Sequence, residues 1–371
     1  MLQSNRLLAL DVFRGMTIAF MILVNTPGSW SHVYAPLLHA KWDGATPTDL
    51  VFPFFLFIVG VSMFFSFSKF NQALDVQLTT KILKRVFLIF IIGLALNYFP
   101  FYNRTLENLR IMGVLQRIAL AYGIGAFICI TIPSKNLWRA GVLILVGYWL
   151  LLILLGGVEP FSLEGNFARI VDLKIFGEHH VYKGFGIPFD PEGLFSTIPA
   201  SVTVIFGYLM GKLIQETADK SMLVKNLLLT GAITIFLGLF WNQYFPINKP
   251  IWSSSYVLYA GGIACMVIAI LIEVIDIRGY KNWTQPFVVF GMNPLIIYVL
   301  SGVLVKVMIN IVKWNSGADS TNLYSWLYHD VLATMLPNQL KFASFLFALL
   351  IVITCWLFGW VLYKKKIFIK V

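Results

Sequence analysis

Charge is scarce in this chain. Only 12% of its 371 residues are Asp, Glu, Lys or Arg, against 58% hydrophobic, and the mean hydropathy is +0.80. A soluble domain of this length cannot hide so much apolar surface in its core, so an ordinary water-soluble globule is excluded. Acidic residues are scarcer than basic ones, 17 against 28, which leaves a net charge of +11. In a soluble protein that excess would raise nucleic acid as a partner. In a lipid-embedded chain Lys and Arg simply collect in cytoplasmic loops, so no nucleic-acid partner is expected. The three cysteines, Cys129, Cys265 and Cys355, all sit inside apolar runs. They suggest neither a disulfide framework nor a metal site, and no metal is expected. There is no low-complexity stretch, and no strong internal repeat of the kind that marks a two-half transporter. The first apolar run carries Asp11 and Arg14 and has no small-residue cleavage site, so it reads as a retained helix rather than a signal peptide.

What is present are apolar runs near 8–26, 50–68, 83–99, 113–132, 138–156, 195–214, 224–241, 254–275, 286–312 and 343–362. Each is long enough to cross a hydrocarbon core as a helix, and backbone groups in lipid must be satisfied within the segment. The expected fold is all-α, a polytopic membrane helix bundle of about ten transmembrane helices forming one domain over 1–371. Pro27, Pro100, Pro133, Pro160 and Pro246 fall just past run ends, where proline stops a helix. Pro53 and Pro294 lie inside runs and predict kinks or irregular turns. Sixteen basic residues fall on the side that holds the N-terminus, including the tail Lys364, Lys365, Lys366 and Lys370, and nine fall on the other. The positive-inside rule then places both termini in the cytoplasm and the chain in a cell's inner membrane. Segments 27–49, 157–194, 242–253 and 313–342 face outward.

Ionisable groups at or near the membrane are functional candidates. Asp11 and Arg14 lie three apart on one helical face; they read as a structural ion pair, or Arg14 as a contact for an anionic ligand. Asn25 closes the first run as a cap or as a polar group for chemistry. The segment from His39 to Asp49 crowds a histidine, Trp42, Asp43, Thr48 and Asp49 before a span. Asp43-Gly44 reads as a turn, and Thr48 or Asp49 as the cap of the next helix. His39 reads as a loop histidine, a general base or an acyl-accepting nucleophile; a metal site from His32, His39 and Asp43 matches no ligand pattern. Gln116 and Arg117 open a span. Asp190 and Glu192 flank a turn and offer carboxylates to a sugar's hydroxyls or amine. The stretch from Trp241 to Ser255, with Asn248 and Trp252, suits carbohydrate stacking as well as an interfacial aromatic belt. Gly291-Met292-Asn293-Pro294 breaks the ninth run and sets an amide at depth.

The ordered set Leu10-Asp11-Val-Phe-Arg14-Gly15, Asn25, His39-Ala-Lys-Trp42-Asp-Gly44 and Asp49-Leu-Val-Phe-Pro53 resembles the heparan-α-glucosaminide N-acetyltransferase family, and its bacterial members most closely. Gln116-Arg117, Asp190-Pro-Glu192-Gly193, Asn242 to Ser254 and Gly291 to Pro294 extend the resemblance over most of the chain. It implies an enzyme that takes acetyl-CoA as co-substrate from the cytoplasmic side and acetylates an amino sugar or glycan near the opposite face, with a homodimer as the expected assembly. The family's active-site histidine falls on His39 and its motif asparagine on Asn25; with Asp49 they make up the expected catalytic set. Arg14, Lys84 and Arg117 are the expected contacts for CoA phosphates. Trp42, Asp190, Glu192, Asn248, Trp252 and Asn293 are the expected acceptor-site residues. A membrane O-acyltransferase of glycan hydroxyls and a sugar or lipid transporter stand as alternatives.

Overall fold

The computed structural model describes residues 7–70, 75–102, 105–316 and 319–369. Arg6, Arg104 and Lys370 of the charge count lie outside them. The long helices are α1 (Leu8–Asn25), α2 (Val51–Phe67), α3 (Val76–Tyr98), α4 (Val114–Thr131), α5 (Leu137–Leu155), α7 (Thr197–Glu216), α8 (Lys220–Trp241), α9 (Ser254–Leu271) and α13 (Leu340–Lys364). Two shorter helices, α10 (Gln285–Met292) and α11 (Pro294–Asn310), meet at an angle of 87°. Among the described residues eight helices are long and apolar enough to cross a membrane, and the bent pair would make nine. The remaining long helix, α3, carries Lys81, Lys84 and Arg85 near its start and is apolar beyond them. All ten expected runs are therefore helical, and the chain is a multi-pass membrane protein.

Proline behaves differently at its two interior positions. Pro294 occupies the first turn of α11, where its missing N–H costs nothing, and α10 ends one residue before it. Pro53 also falls in a first turn, that of α2, which follows directly on an irregular 3₁₀ turn over Pro47–Leu50. The outer loops hold elements that hydropathy does not announce: α6 (Phe167–Phe176), a hairpin of β1 (Lys313–Ser316) and β2 (Asp319–Asn322), and the short α12 (Leu323–Ser325) running into a widened turn over Trp326–Ala333. Their segments are short and mixed in polarity, so no apolar period marks them.

Lipid tails are as apolar as leucine, so helices in a membrane associate through close packing and polar contacts. Glycine provides the closeness here. A methyl built on Gly60 would stand 2.0 Å from the Val204 carbonyl oxygen, and one on Gly207 would stand 2.0 Å from that of Phe57. Thus α2 and α7 touch backbone to backbone. Gly15 and Gly291 join α1 to α10 in the same way. Polar stitches add to this. Arg14 donates to Asp11 Oδ1 at 3.3 Å, to the Gly291 carbonyl at 3.4 Å and to Ser62 Oγ at 2.6 Å, tying α1 to α10 and α2. Lys306 on α11 donates to the carbonyls of Leu96, Asn97 and Phe99, placing a cation at the negative end of α3.

Gly207→Ala raises helix propensity but drives a methyl into backbone, so a net destabilisation of about 1–3 kcal/mol is expected. Gly147→Ala on α5 meets nothing within 4 Å and should leave stability unchanged or slightly raised. Thermal unfolding of the two variants in detergent checks this; equal melting temperatures would show that the α2–α7 contact does not limit stability.

Candidate functional site

The segment before α2 folds around one carboxylate. Thr46, Pro47 and Asp49 begin a single 3₁₀ turn, Pro47–Leu50, that leads directly into α2. The cap is Thr46, rather than Thr48 or Asp49, and Asp49 sits three residues later in a capping box. Asp49 Oδ2 accepts from the backbone N–H groups of Ala40 and Thr46, both at 3.0 Å. Its Oδ1 lies 2.6 Å from His39 Nδ1. An ionised carboxylate can only accept, so Nδ1 carries the proton and a neutral His39 presents a lone pair at Nε2. The Asp49 side chain is 2% exposed and that of His39 41%. A buried acid orients a reachable imidazole, the arrangement a general base needs.

A second loop locks onto this one. Gly44, at φ +97°, makes the expected turn, and its N–H donates to the Ile247 carbonyl at 2.7 Å. Asn248 Nδ2 donates to Asp43 Oδ1 at 3.1 Å, and Asn248 Oδ1 accepts from Ile251 N. Asn248 is fully buried and spends its amide on these two loops. The next residue, Lys249, reaches Asp49 Oδ1 at 3.5 Å and lies 3.1 Å from His39 Nδ1. Burial pushes its ammonium down from the usual lysine range, against the pull of Asp49.

Three cavities surround this core. An outer one of about 320 Å³ is lined by His39, Asp49, Arg110, Tyr182, Phe185, Glu192 and Lys249 among others. A chamber of about 80 Å³ is lined by Asn25, His39, Thr48, Val51, Phe52, Val114, Glu192 and Lys249 among others. His39, Val114, Glu192 and Lys249 belong to both. The third, of about 420 Å³, opens toward the other end of the bundle and is lined by Arg14, Ser62, Ser66, Lys81, Arg85 and Ile369 with apolar neighbours. It shares no residue with the chamber, yet Val114 and Ile118, or Phe52 and Phe55, lie one helical turn apart on either side of the division.

Beside the outer cavity, Arg110 grips Asp190 through two hydrogen bonds of 2.9 and 2.6 Å and also donates to Glu192 Oε2. Its guanidinium lies 4.8 Å above the Tyr182 ring. Burial would favour the neutral form of Arg110, but its hydrogen bonds to Asp190 and the charge of Glu192 hold it protonated well above the ordinary arginine range. Asp190 is buried at 1% exposure and serves as the anchor; Glu192 is the carboxylate that faces the cavities. Below them Asp172 on α6 accepts from the N–H groups of Leu194 and Phe195. Burial pushes its carboxyl up to about 7.

The expected residues therefore separate. His39, Asn25 and Asp49 come together with Glu192. Trp42 stands edge-on to Phe185 and Phe189, 6.0 and 5.5 Å between centroids, and donates to the Phe161 carbonyl. Trp252 is fully buried, packed on Phe52 and Tyr256 with the Arg117 guanidinium 5.0 Å from its ring. Arg117 donates to the Gly193 carbonyl and to Ser196 Oγ, at the end of the bundle that carries Glu192. Asn293 clamps the tail instead of a sugar: its Nδ2 donates to the Ile367 carbonyl at 3.0 Å and its Oδ1 accepts from Ile369 N at 2.9 Å. Lys84 is exposed, while Lys81, Arg85 and Ile89, at spacings of four along α3, face the inner cavity with Arg14. That helical spacing was the signal available for Lys81 and Arg85. Nothing in the sequence joins Lys249 to His39. His32, His179 and His180 bond elsewhere, to Tyr328, Asn108 and Leu109. Among the described residues no group of three or more His, Cys, Asp or Glu is placed to hold a metal ion.

Arg110→Met leaves the Asp190 carboxylate buried without its cation, which costs about 3 kcal/mol or more. The expected outcome is a clear fall in melting temperature in detergent; an unchanged value would mean that Asp190 finds another partner.

Comparison with known proteins gives a consistent set of likenesses. A family model described as heparan-alpha-glucosaminide N-acetyltransferase, catalytic, matches residues 6–245. The heparan-alpha-glucosaminide N-acetyltransferase of Mus musculus is 28% identical over a 434-position alignment, covering 99% of this chain and 61% of the relative. That of Homo sapiens is 30% identical over 352 positions, covering 79% of this chain and 52% of the relative. The chain thus spans between half and two-thirds of the length of these curated relatives.

Proposed function

This chain belongs to the heparan-alpha-glucosaminide N-acetyltransferase family, and from that premise we propose that it moves an acetyl group from cytoplasmic acetyl-CoA to the amine of a glucosamine-type sugar at the outer face of an inner membrane, with both termini in the cytoplasm. The observation that carries this reading is the His39–Asp49 pair: an imidazole whose Nδ1 is held by a buried acid and whose ring lines both the small chamber and the outer cavity.

The chemistry needs a base, donors for a developing oxyanion and two substrate approaches. The acceptor enters the outer cavity, where Glu192 meets its ammonium or hydroxyls and the rings of Phe185 and Tyr182 offer apolar faces. The acetyl thioester occupies the chamber, beside the Asn25 amide. The amine nitrogen attacks the thioester carbonyl and gives its proton to His39 Nε2. The carbon–sulfur bond breaks, CoA leaves as a thiolate, and a proton returns to it. The inner cavity, with Arg14, Lys81 and Arg85, suits the phosphates of the donor.

Purified protein given labelled acetyl-CoA and glucosamine should yield labelled N-acetylglucosamine. Label on a hydroxyl would favour the O-acyltransferase reading, and vesicle uptake without acetyl-CoA a transporter. His39→Ala should abolish transfer while acetyl-CoA binding persists; near-normal turnover would sink the mechanism. Arg85→Ala should raise the KM for acetyl-CoA roughly tenfold, the loss of one charge-assisted hydrogen bond, with kcat largely kept. The rate should fall at low pH, because a protonated His39 cannot take the amine's proton.

A further inference from the structure

Asp49 poses a problem for a histidine base. A lone carboxylate 2.6 Å from an imidazole fixes the tautomer but also stabilises the imidazolium, which keeps the ring protonated when it should be free to accept. Lys249 stands where that conflict is resolved. Its Nζ lies 3.5 Å from Asp49 Oδ1, the same oxygen that accepts from His39, and 3.1 Å from His39 Nδ1. As an ammonium, Nζ has no lone pair for the Nδ1 proton, so the two nitrogens would share Asp49 Oδ1 as their acceptor rather than bond to each other. The Lys249 side chain is 17% exposed, and its backbone is fixed by the neighbouring Asn248, which bonds to Asp43 and Ile251.

We propose that Lys249 is a positioning residue for His39: its ammonium offsets the Asp49 charge, so that Asp49 orients the imidazole without holding it protonated. The inference rests on the reading of His39 as the transfer base. The other charged or titratable groups that share the outer cavity with His39 are Arg110 from the segment before α4, Tyr182 from the loop after α6, and Glu192 from the segment before α7. Arg110 is committed to Asp190 and Glu192, so among the described residues Lys249 is the cation set against Asp49. The same cation, 3.1 Å from Nδ1, opposes the imidazolium once the ring has taken the amine's proton, which speeds return of that proton to the leaving thiolate.

The sign is fixed by Coulomb's law. Without the ammonium, Asp49 acts on the ring unopposed, the imidazolium is favoured, and the acid limb of the kcat profile moves to higher pH. Lys249→Met should shift that limb upward by about one pH unit or more. Lys249→Arg retains the charge and should keep the limb near its wild-type position. Melting temperatures in detergent, measured alongside, confirm folding. A purely structural Lys249 would lower the rate evenly at all pH values and leave the limb unmoved, and that result, or a downward shift, overturns the inference. His39→Ala separates the two levels. If it still turns over, the base assignment fails. If it is inactive while the Lys249→Met limb stays in place, only the role of Lys249 fails.

Discussion

The end of the bundle that carries His39 is organised around a single buried carboxylate. Asp49 accepts from the Ala40 and Thr46 amides, from His39 and from the Lys249 ammonium. An ionised group at 2% exposure is tolerated only when its lone pairs are filled in this way. Filling them forces the 39–49 loop to curl back over the start of α2, and draws in the loop after α8 that carries Lys249. The Tyr256 hydroxyl on α9 adds a further tie by donating to the Asp49 carbonyl. Loop shape, histidine orientation and local charge balance therefore share one cause.

Around that point the bundle is held by contacts that do not depend on the hydrophobic effect. Backbone approaches at Gly60 and Gly207, and at Gly15 and Gly291, fix α2 on α7 and α1 on α10. Arg14 bridges three of these four helices and also borders the inner cavity. A cation used for packing is held rigid, and a rigid guanidinium presents its remaining surface with little entropic cost on meeting an anion. The side chain that ties these helices together is thus also one that lines a cavity.

The ten apolar runs made the helices plain, because lipid demands long uninterrupted apolar segments. The bend at Pro294 was equally legible from proline's missing N–H. The outer elements were not: α6 and the 313–322 hairpin are fixed by contacts such as Asn166 capping Arg169 N and the β1–β2 pairing, which leave no period in the sequence. At the site, the short segment from His39 to Asp49 could be read because the partners are close in sequence. Lys249 could not, since its contact spans more than two hundred positions. Asn248, Trp252 and Asn293 were singled out by residue type, as polar and aromatic groups near a membrane surface. Residue type did not reveal that their hydrogen-bonding and packing capacity is already taken by Asp43, by Arg117 and by the tail.

A layer of side chains separates the chamber from the cavity lined by Arg14, Lys81 and Arg85. Its walls come from α2 and α4, with Phe52 and Phe55 on one side and Val114 and Ile118 on the other. α2 cannot slide or tilt freely, because its backbone rests against that of α7 at Gly60 and Gly207. Shifting it would break that contact along the helix, whereas rotating a phenylalanine changes one or two torsions. Phe52 packs on Trp252 with centroids 5.1 Å apart, and Trp252 lies over Arg117, which is tied in turn to Gly193, the neighbour of Glu192. Side-chain rotation at that boundary would disturb less of the packing than a shift of α2. The aromatic at that boundary is linked through packed side chains to the loop that carries Glu192.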